Sequence, residues 1–251
     1  MKYLFSFLVV FFLSFGVHAN PIDDSCPQFT YDSAPIAEAD QYLCRSEYAV
    51  AYSYKHKNPV YTTEHYLASH TGNLPRSNDF RADSDIPVEY QSTLKDYLHS
   101  QCNGGRCDRG HMTPDQNFSA DQKAVSESFL MSNMVPQNYQ NNEIIWKKLE
   151  TQFRHYALNK PQGIYIITGP AYSTENPKSI GNGVSVPDML FKVAIDPELK
   201  KSIAFYMPNV NLDSKTLRNY VVNLDTIEKA TGIKFAESLD KITVANYDEW
   251  K

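Results

Sequence analysis

The chain has no surplus of positive charge: 24 Lys and Arg stand against 29 Asp and Glu, a formal net charge of −5 over 251 residues. That argues against a body that grips polyanions over its whole surface and leaves only local basic clusters for such a task. Beyond residue 17 no stretch approaches the roughly 18 apolar residues of a bilayer span. Cysteine is scarce, four in all, and no Cys-x2-Cys pair or closely spaced Cys/His set points to structural zinc. No repeat or low-complexity tract is present.

What is present suffices for a folded enzyme-sized body. The hydrophobic share of 42% fills a core, and the length suits one large domain over residues 20–251. Lys2, the apolar run from Leu4 to Val17 and the small residues Val17 and Ala19 read as a signal peptide over residues 1–19, cleaved before Asn20. The expected location is therefore secreted or periplasmic, without stable membrane association after cleavage. Export makes Cys26, Cys44, Cys102 and Cys107 two disulfides. Three connectivities are open, and proximity favours Cys26–Cys44 with Cys102–Cys107.

Tyr48 to Tyr54 and Val60 to His65 read as strands around a Lys57-Asn58-Pro59 turn, with Ile164 to Thr168 as a buried strand. Leu190 to Ile195 and Ser202 to Tyr206 form a pair around Asp196-Pro197, and Thr216 to Thr231 reads as a helix ended by Gly232. The segment from Asn20 to about Asp40 is expected to be an irregular arm tied down at Cys26. Most of the 17 tyrosines are better explained as half-buried strand residues than as base-stacking platforms.

The densest chemistry runs from Asp108 to Arg154. His111 stands in a Gly- and Cys-rich loop, and its imidazole takes up a proton near neutral pH without a large shift. Arg109 offers a planar fork of donors that matches phosphate oxygens, and Gly110 permits the backbone to present His111 at a cleft mouth. At about 100° per residue, Ile145, Leu149, Phe153 and Tyr156 share one helix arc, with Asn142 at its start and Glu150 and Arg154 along its edge. Roughly 12 Å of helix separates Asn142 from Glu150, so the two line a groove without sharing one small ion. Plain alternatives stand beside these readings: His111 as a surface hydrogen-bonding residue, Asn142 as a helix cap, and Glu150 with Arg154 as an i,i+4 surface pair.

Taken together, Asp108-Arg109-Gly110-His111, then Ser132-Asn133-Met134 with Pro136-Gln137, then Asn142 with Trp146, Leu149-Glu150 and Arg154 resemble a known family. It is the DNA/RNA non-specific endonucleases of the ββα-metal (His-Me finger) superfamily, the Serratia nuclease and endonuclease G type. The resemblance implies an α+β fold, with a mainly antiparallel central sheet flanked by helices and a ββα-metal active-site motif. It implies His111 as general base, Asn142 as the direct ligand of a hydrated Mg²⁺ with Mn²⁺ as substitute, and Glu150, Arg109 and Arg154 as assisting groups. Arg76, in Arg76-x3-Phe80-x2-Asp83, would bind phosphate, and Asp108 and Asn133 would support the site from behind. Met112 and the segment from Thr113 to Glu127 follow the family only loosely.

The implied activity is hydrolysis of DNA and RNA with a metal-assisted water, leaving 5′-phosphate ends. The basic cluster for this is Arg76, Arg81, Arg106, Arg109, Lys147, Lys148 and Arg154. The rate is expected to rise between about pH 6 and 7 if His111 keeps its reference pKa of about 6.5. Two other classes fit less of the pattern: a metal-dependent phosphodiesterase for small nucleotides and a catalytically silent secreted binding module. The sequence leaves room for a protein inhibitor without specifying one.

Overall fold

Runs of alternating apolar residues build the strands, and the chain lays most of them into one sheet. The computed structural model describes residues 20–241 and 244–250. The expected signal peptide of residues 1–19 lies outside the described residues. Strands β1 (Gln41–Cys44), β2 (Ala49–Ser53) and β3 (Asn58–Tyr66) form an antiparallel meander. Strands β4 (Gln101–Cys102), β5 (Gly105–His111) and β6 (Met134–Asn138) make a separate antiparallel sheet. Strand β7 (Ile164–Ala171) then returns beside β3, followed by the small pair β8 (Ser179–Ile180) and β9 (Val184–Ser185). Strands β10 (Met189–Asp196), β11 (Lys201–Pro208), β12 (Val221–Val222) and β13 (Asp240–Lys241) complete the main sheet. Its order is β1-β2-β3-β7-β10-β11-β12, antiparallel throughout, with β13 parallel to β11. With helices α1 (Pro21–Ser25), α2 (Gln122–Ser128), α3 (Lys147–Ala157) and α4 (Leu224–Thr231) this is an α+β fold, as expected.

Both faces of the sheet are covered, and the period of two decides which side chain goes where. Ile203, Phe205 and Met207 of β11 share one face with Leu190 and Ala194 of β10, and Leu149 and Phe153 of helix α3 (Lys147–Ala157) pack over them. The intervening Ala204, Phe191, Val193 and Ile195 face the other way. There they meet Ile22 of helix α1 (Pro21–Ser25) and Leu224 and Ile227 of helix α4 (Leu224–Thr231). Full burial of each Leu, Ile, Val, Phe or Met among them contributes roughly 1.5–3 kcal/mol. Tyr48, Tyr52, Tyr61 and Tyr66 are buried core residues, which removes them as stacking platforms.

Two expectations are corrected. The helix read over Thr216 to Thr231 is broken: Ser214–Tyr220 is a 3₁₀ segment, the β-branched Val221 and Val222 pair with β11, and only α4 is α-helical. Its end at Gly232 stands, since that residue takes φ 76°, which glycine adopts without a steric penalty. The arm from Asn20 to Asp40 is more ordered than expected, because α1, Phe29 and Ala34 are pulled into the core beside the Cys26–Cys44 disulfide. No helix among the described residues is long and apolar enough to cross a membrane.

Candidate active site

Strand β5, paired to β6, and the helical segment that follows β6 line one cleft of about 660 Å³. β5 pairs Asp108 with Gln137, Arg109 with Pro136 and His111 with Met134. His111 therefore stands at the end of a strand, not in a loop as expected. Gly110 does not take a left-handed conformation here; a Cβ at that position would collide with the Gln137 side chain. The glycine lets the two strands close up. The Cys102–Cys107 disulfide ties β4 to β5 just before the site.

After β6 the chain enters a π-helical turn over Asn141–Trp146 that continues directly as α3. Asn141 fixes that turn: it donates to the carbonyls of Pro208 and Val210, and its amide oxygen accepts from Gln137 at 2.8 Å. Asn142, one residue on, lines the cleft. Its Nδ2 donates to Asp108 Oδ2 at 3.1 Å. A carboxylate only accepts, so this contact fixes which way the amide points and leaves its oxygen for another partner.

His111, Arg109, Arg76, Asp108, Asn142 and Glu150 all line the cleft. Arg154 and Asn133 do not. Arg154, buried behind the wall, donates from one guanidinium nitrogen to Asn117 Oδ1 and from the other to Thr151, both at 3.1 Å. It thus turns to Asn117 where an i,i+4 surface pair with Glu150 was one expectation. Asn133 is a bracket for the chain after His111, accepting from the Thr113 amide at 3.0 Å and donating to the Thr113 carbonyl at 2.8 Å. Of the expected basic cluster, Arg76, Arg106, Arg109 and Lys147 line the cleft, while Lys148 bonds the Ser214 carbonyl and Arg81 pairs with Asp79. Asp83 is buried and accepts from Arg45 and Ser132.

The His111 ring is buried, and its Nε2 has no protein hydrogen-bond partner. Burial, reinforced by the charges of Arg76, Arg109 and Lys192, holds its pKa well below the usual histidine value. The premise of a rate rise between pH 6 and 7, a reference pKa for His111, is therefore not met, since a neutral imidazole persists to lower pH. Burial raises the Glu150 carboxyl, against the opposing pull of Lys192 and Arg154. Asp115, ion-paired with Arg76, is likewise raised by burial.

Beneath the cleft lies a polar patch that the sequence reading missed. Thr62 and Glu64 of β3, Thr168 of β7 and Lys192 of β10 point from the sheet toward the ββα unit. Lys192, 1% exposed, donates to Thr168 Oγ1 at 2.9 Å and to the Met112 carbonyl at 3.1 Å, with its Nζ 4.9 Å from the Trp146 ring centre. Glu64, fully buried, accepts from Asn117 Nδ2 on both oxygens at 3.1 and 3.0 Å. Burial pushes its pKa up to about 7. The available signal was a charge at an inward position of an apolar strand, as in Leu190-Phe191-Lys192-Val193.

Residues 26–242 match the family model described as DNA/RNA non-specific endonuclease. Nuclease C1 of Cunninghamella echinulata var. echinulata is 32% identical over 226 residues, which span 83% of this chain and 87% of that protein. Mitochondrial nuclease EXOG of Xenopus laevis is 32% identical over 228 residues, 81% of this chain and 60% of its own length. A solved EndoG/EndoGI complex, described as showing the mechanism of EndoG inhibition, aligns with a TM-score of 0.72 at 28% identity. That alignment covers 82% of this chain and 89% of the other. The expected secreted or periplasmic location is overturned here. The Xenopus protein is named mitochondrial, as are relatives from Schizosaccharomyces pombe and Saccharomyces cerevisiae. Hydropathy picks out an apolar run, and the destination drawn from it does not stand against these relatives.

Proposed function

The chain belongs to the DNA/RNA non-specific endonuclease family, and from that premise we propose that residues 20–251 act as one hydrolase domain cutting phosphodiester bonds inside DNA and RNA. The observation that carries the reading is the cleft where His111, Arg109, Asn142 and Glu150 meet, with Asp108 turning the Asn142 amide. Neutral His111 takes the proton of a water aimed at phosphorus. Arg109 and Arg76 hold the phosphate oxygens through charge-assisted hydrogen bonds. Glu150 orients water at the far side of the cleft, and Arg154 supports it electrostatically from behind the wall. As the water oxygen bonds to phosphorus the P–O3′ bond breaks, the 3′-oxygen takes a proton from water ordered in the cleft, and the phosphate stays on the 5′ end of the other fragment.

The donor set also fits a divalent cation. Asn142 offers a hard, uncharged amide oxygen, with the Asp108 carboxylate bonded to its amide nitrogen and the Glu150 carboxylate further along the cleft to hold ordered water. Among the described residues no three His, Cys, Asp or Glu side chains form a cage. The fit is therefore to a largely hydrated ion, Mg²⁺ with Mn²⁺ as substitute, held by Asn142. When bound, such an ion stabilises negative charge developing on the phosphate and the leaving oxygen.

The partners proposed are DNA and RNA, and the likeness to an EndoG/EndoGI complex supports a protein inhibitor as a further one. Purified protein incubated with plasmid, single-stranded DNA and RNA, with Mg²⁺ or with EDTA, tests the proposal. Metal-dependent cutting of all three is expected. Intact polymers alongside cleaved small nucleotide esters would replace it with the phosphodiesterase reading.

A further inference from the structure

Two phenylalanines stand behind the cleft's arginines. The guanidinium carbon of Arg109 lies 4.4 Å from the ring centre of Phe80, and that of Arg76 lies 4.7 Å from the ring centre of Phe129. The two rings meet edge to face, with centroids 4.8 Å apart at 82°. His111 packs against the same pair, 4.9 Å from Phe129 at 85° and 5.7 Å from Phe80. Phe129 is fully buried, and Phe80 lines the cleft.

How Arg109 is held sets it apart from the other arginines of the region. Arg45 is spent on Asp83 and Asp85, and Arg154 on Asn117 and Thr151. Arg76 gives Nε to Asn78 and another nitrogen to Asp115. Among the described residues, the Arg109 side chain takes no hydrogen-bond or ion-pair partner, and its Nε is buried without one. A buried guanidinium donor left unpaired is costly unless a ligand completes it. The ring face offers a second means of holding a cation, since the aromatic quadrupole attracts a guanidinium without occupying its N–H groups.

We propose that Phe80, braced by Phe129, is a positioning residue that holds the Arg109 fork over an aromatic face so that its donors stay free for a substrate phosphate. This rests on the nuclease reading above. The device suits an enzyme that must bind phosphate without base selectivity. A carboxylate partner would compete with the phosphate for the fork, whereas a ring does not.

The test replaces Phe80 in the full chain with phenylalanine analogues carrying one to five ring fluorines. These change ring shape little while draining and finally reversing the charge on its face. The readouts are KM and kcat on a defined oligonucleotide, with anisotropy of a labelled oligonucleotide in EDTA as a measure of binding independent of turnover. Stepwise weakening of binding and rise of KM, reaching about tenfold for the fully fluorinated ring, is expected from the usual strength of a desolvated cation–π contact. The melting temperature should stay close to that of the unmodified protein, and Phe80→Trp should keep KM near the original. KM and binding that do not change across the series in an active enzyme would overturn the role of Phe80 and leave the nuclease reading intact. An unmodified protein that cuts no polymer sinks the nuclease reading, and the anisotropy series then still decides whether the ring governs anion binding.

Discussion

Asn142 donates its side-chain amide to Asp108 at 3.1 Å across the mouth of the ββα unit, and this one contact decides which end of the amide is available for a cation. Asp108 is itself held, accepting from Arg106 at 3.2 Å, and Arg106 reaches on to Glu143. The amide oxygen of Asn142 is thus presented by a chain of side chains and not by chance rotation.

Asp108→Ala should therefore act through the metal requirement. Loss of an orienting partner of this kind typically weakens metal affinity tenfold or more. The Mg²⁺ concentration for half-maximal activity should rise about tenfold, with oligonucleotide binding in EDTA little changed. Asn142→Ala should show the larger shift, partly recovered at high Mn²⁺. An unchanged Mg²⁺ requirement in Asp108→Ala would remove Asp108 from this role.

Much of the candidate cleft was legible because the residues expected to line it are close in sequence. Asp108 to His111 and Asn142 to Arg154 occupy two short segments, and the helical arc of Ile145, Leu149 and Phe153 is buried as its spacing implies. The sheet was legible for the same reason, since Ile164 to Thr168 and Leu190 to Ile195 carry the apolar content of buried strands. Contacts across long separations were not legible. Glu64 meets Asn117 across 53 positions and Lys192 meets Met112 across 80, and no local pattern encodes such pairs. The π-helical turn was hidden too, because it depends on Asn141 reaching the carbonyls of Pro208 and Val210.

Glu64 gives a stability signature. Its folded pKa of about 7 lies above the roughly 4.3 of an exposed glutamate, so between these values the folded state holds the extra proton. Stability then falls as pH rises through that window, with the contribution present below it and lost above pH 7. Glu64→Gln removes the titration and keeps an acceptor for Asn117. Its melting temperature relative to the parent protein should increase between pH 5 and pH 8. Parallel curves for the two proteins would show that Glu64 is ionised throughout that range.

The Cys102–Cys107 bridge should matter more to activity than to stability. It closes a short loop, and the chain-entropy model gives less than the ~3 kcal/mol of a 15-residue loop. Yet it ties down β5, the strand that carries Asp108, Arg109 and His111. Replacing both cysteines with serine should lower turnover by a larger factor than the loss in melting temperature accounts for. A variant with normal kcat and a much lower melting temperature would make the bridge purely a stabiliser.

His111 allows the sharpest test of the mechanism, because its environment and its task make a joint demand. A general base works only when unprotonated, and burial together with the cations Arg76, Arg109 and Lys192 disfavours the protonated ring. The folded pKa falls below the reference of about 6.5, so the working fraction is already near its maximum at neutral pH. The acid limb of kcat/KM should accordingly lie below pH 6.5, and Lys192→Met, which removes one of those cations, should move it upward. His111→Ala should lose at least about 10²-fold in turnover while still binding oligonucleotide, since it removes the proton acceptor and spares Arg109 and Asn142. Near-normal turnover in His111→Ala would exclude a histidine base, and an acid limb at or above pH 6.5 in the unmodified protein would exclude the buried, cation-flanked His111 as the group that titrates.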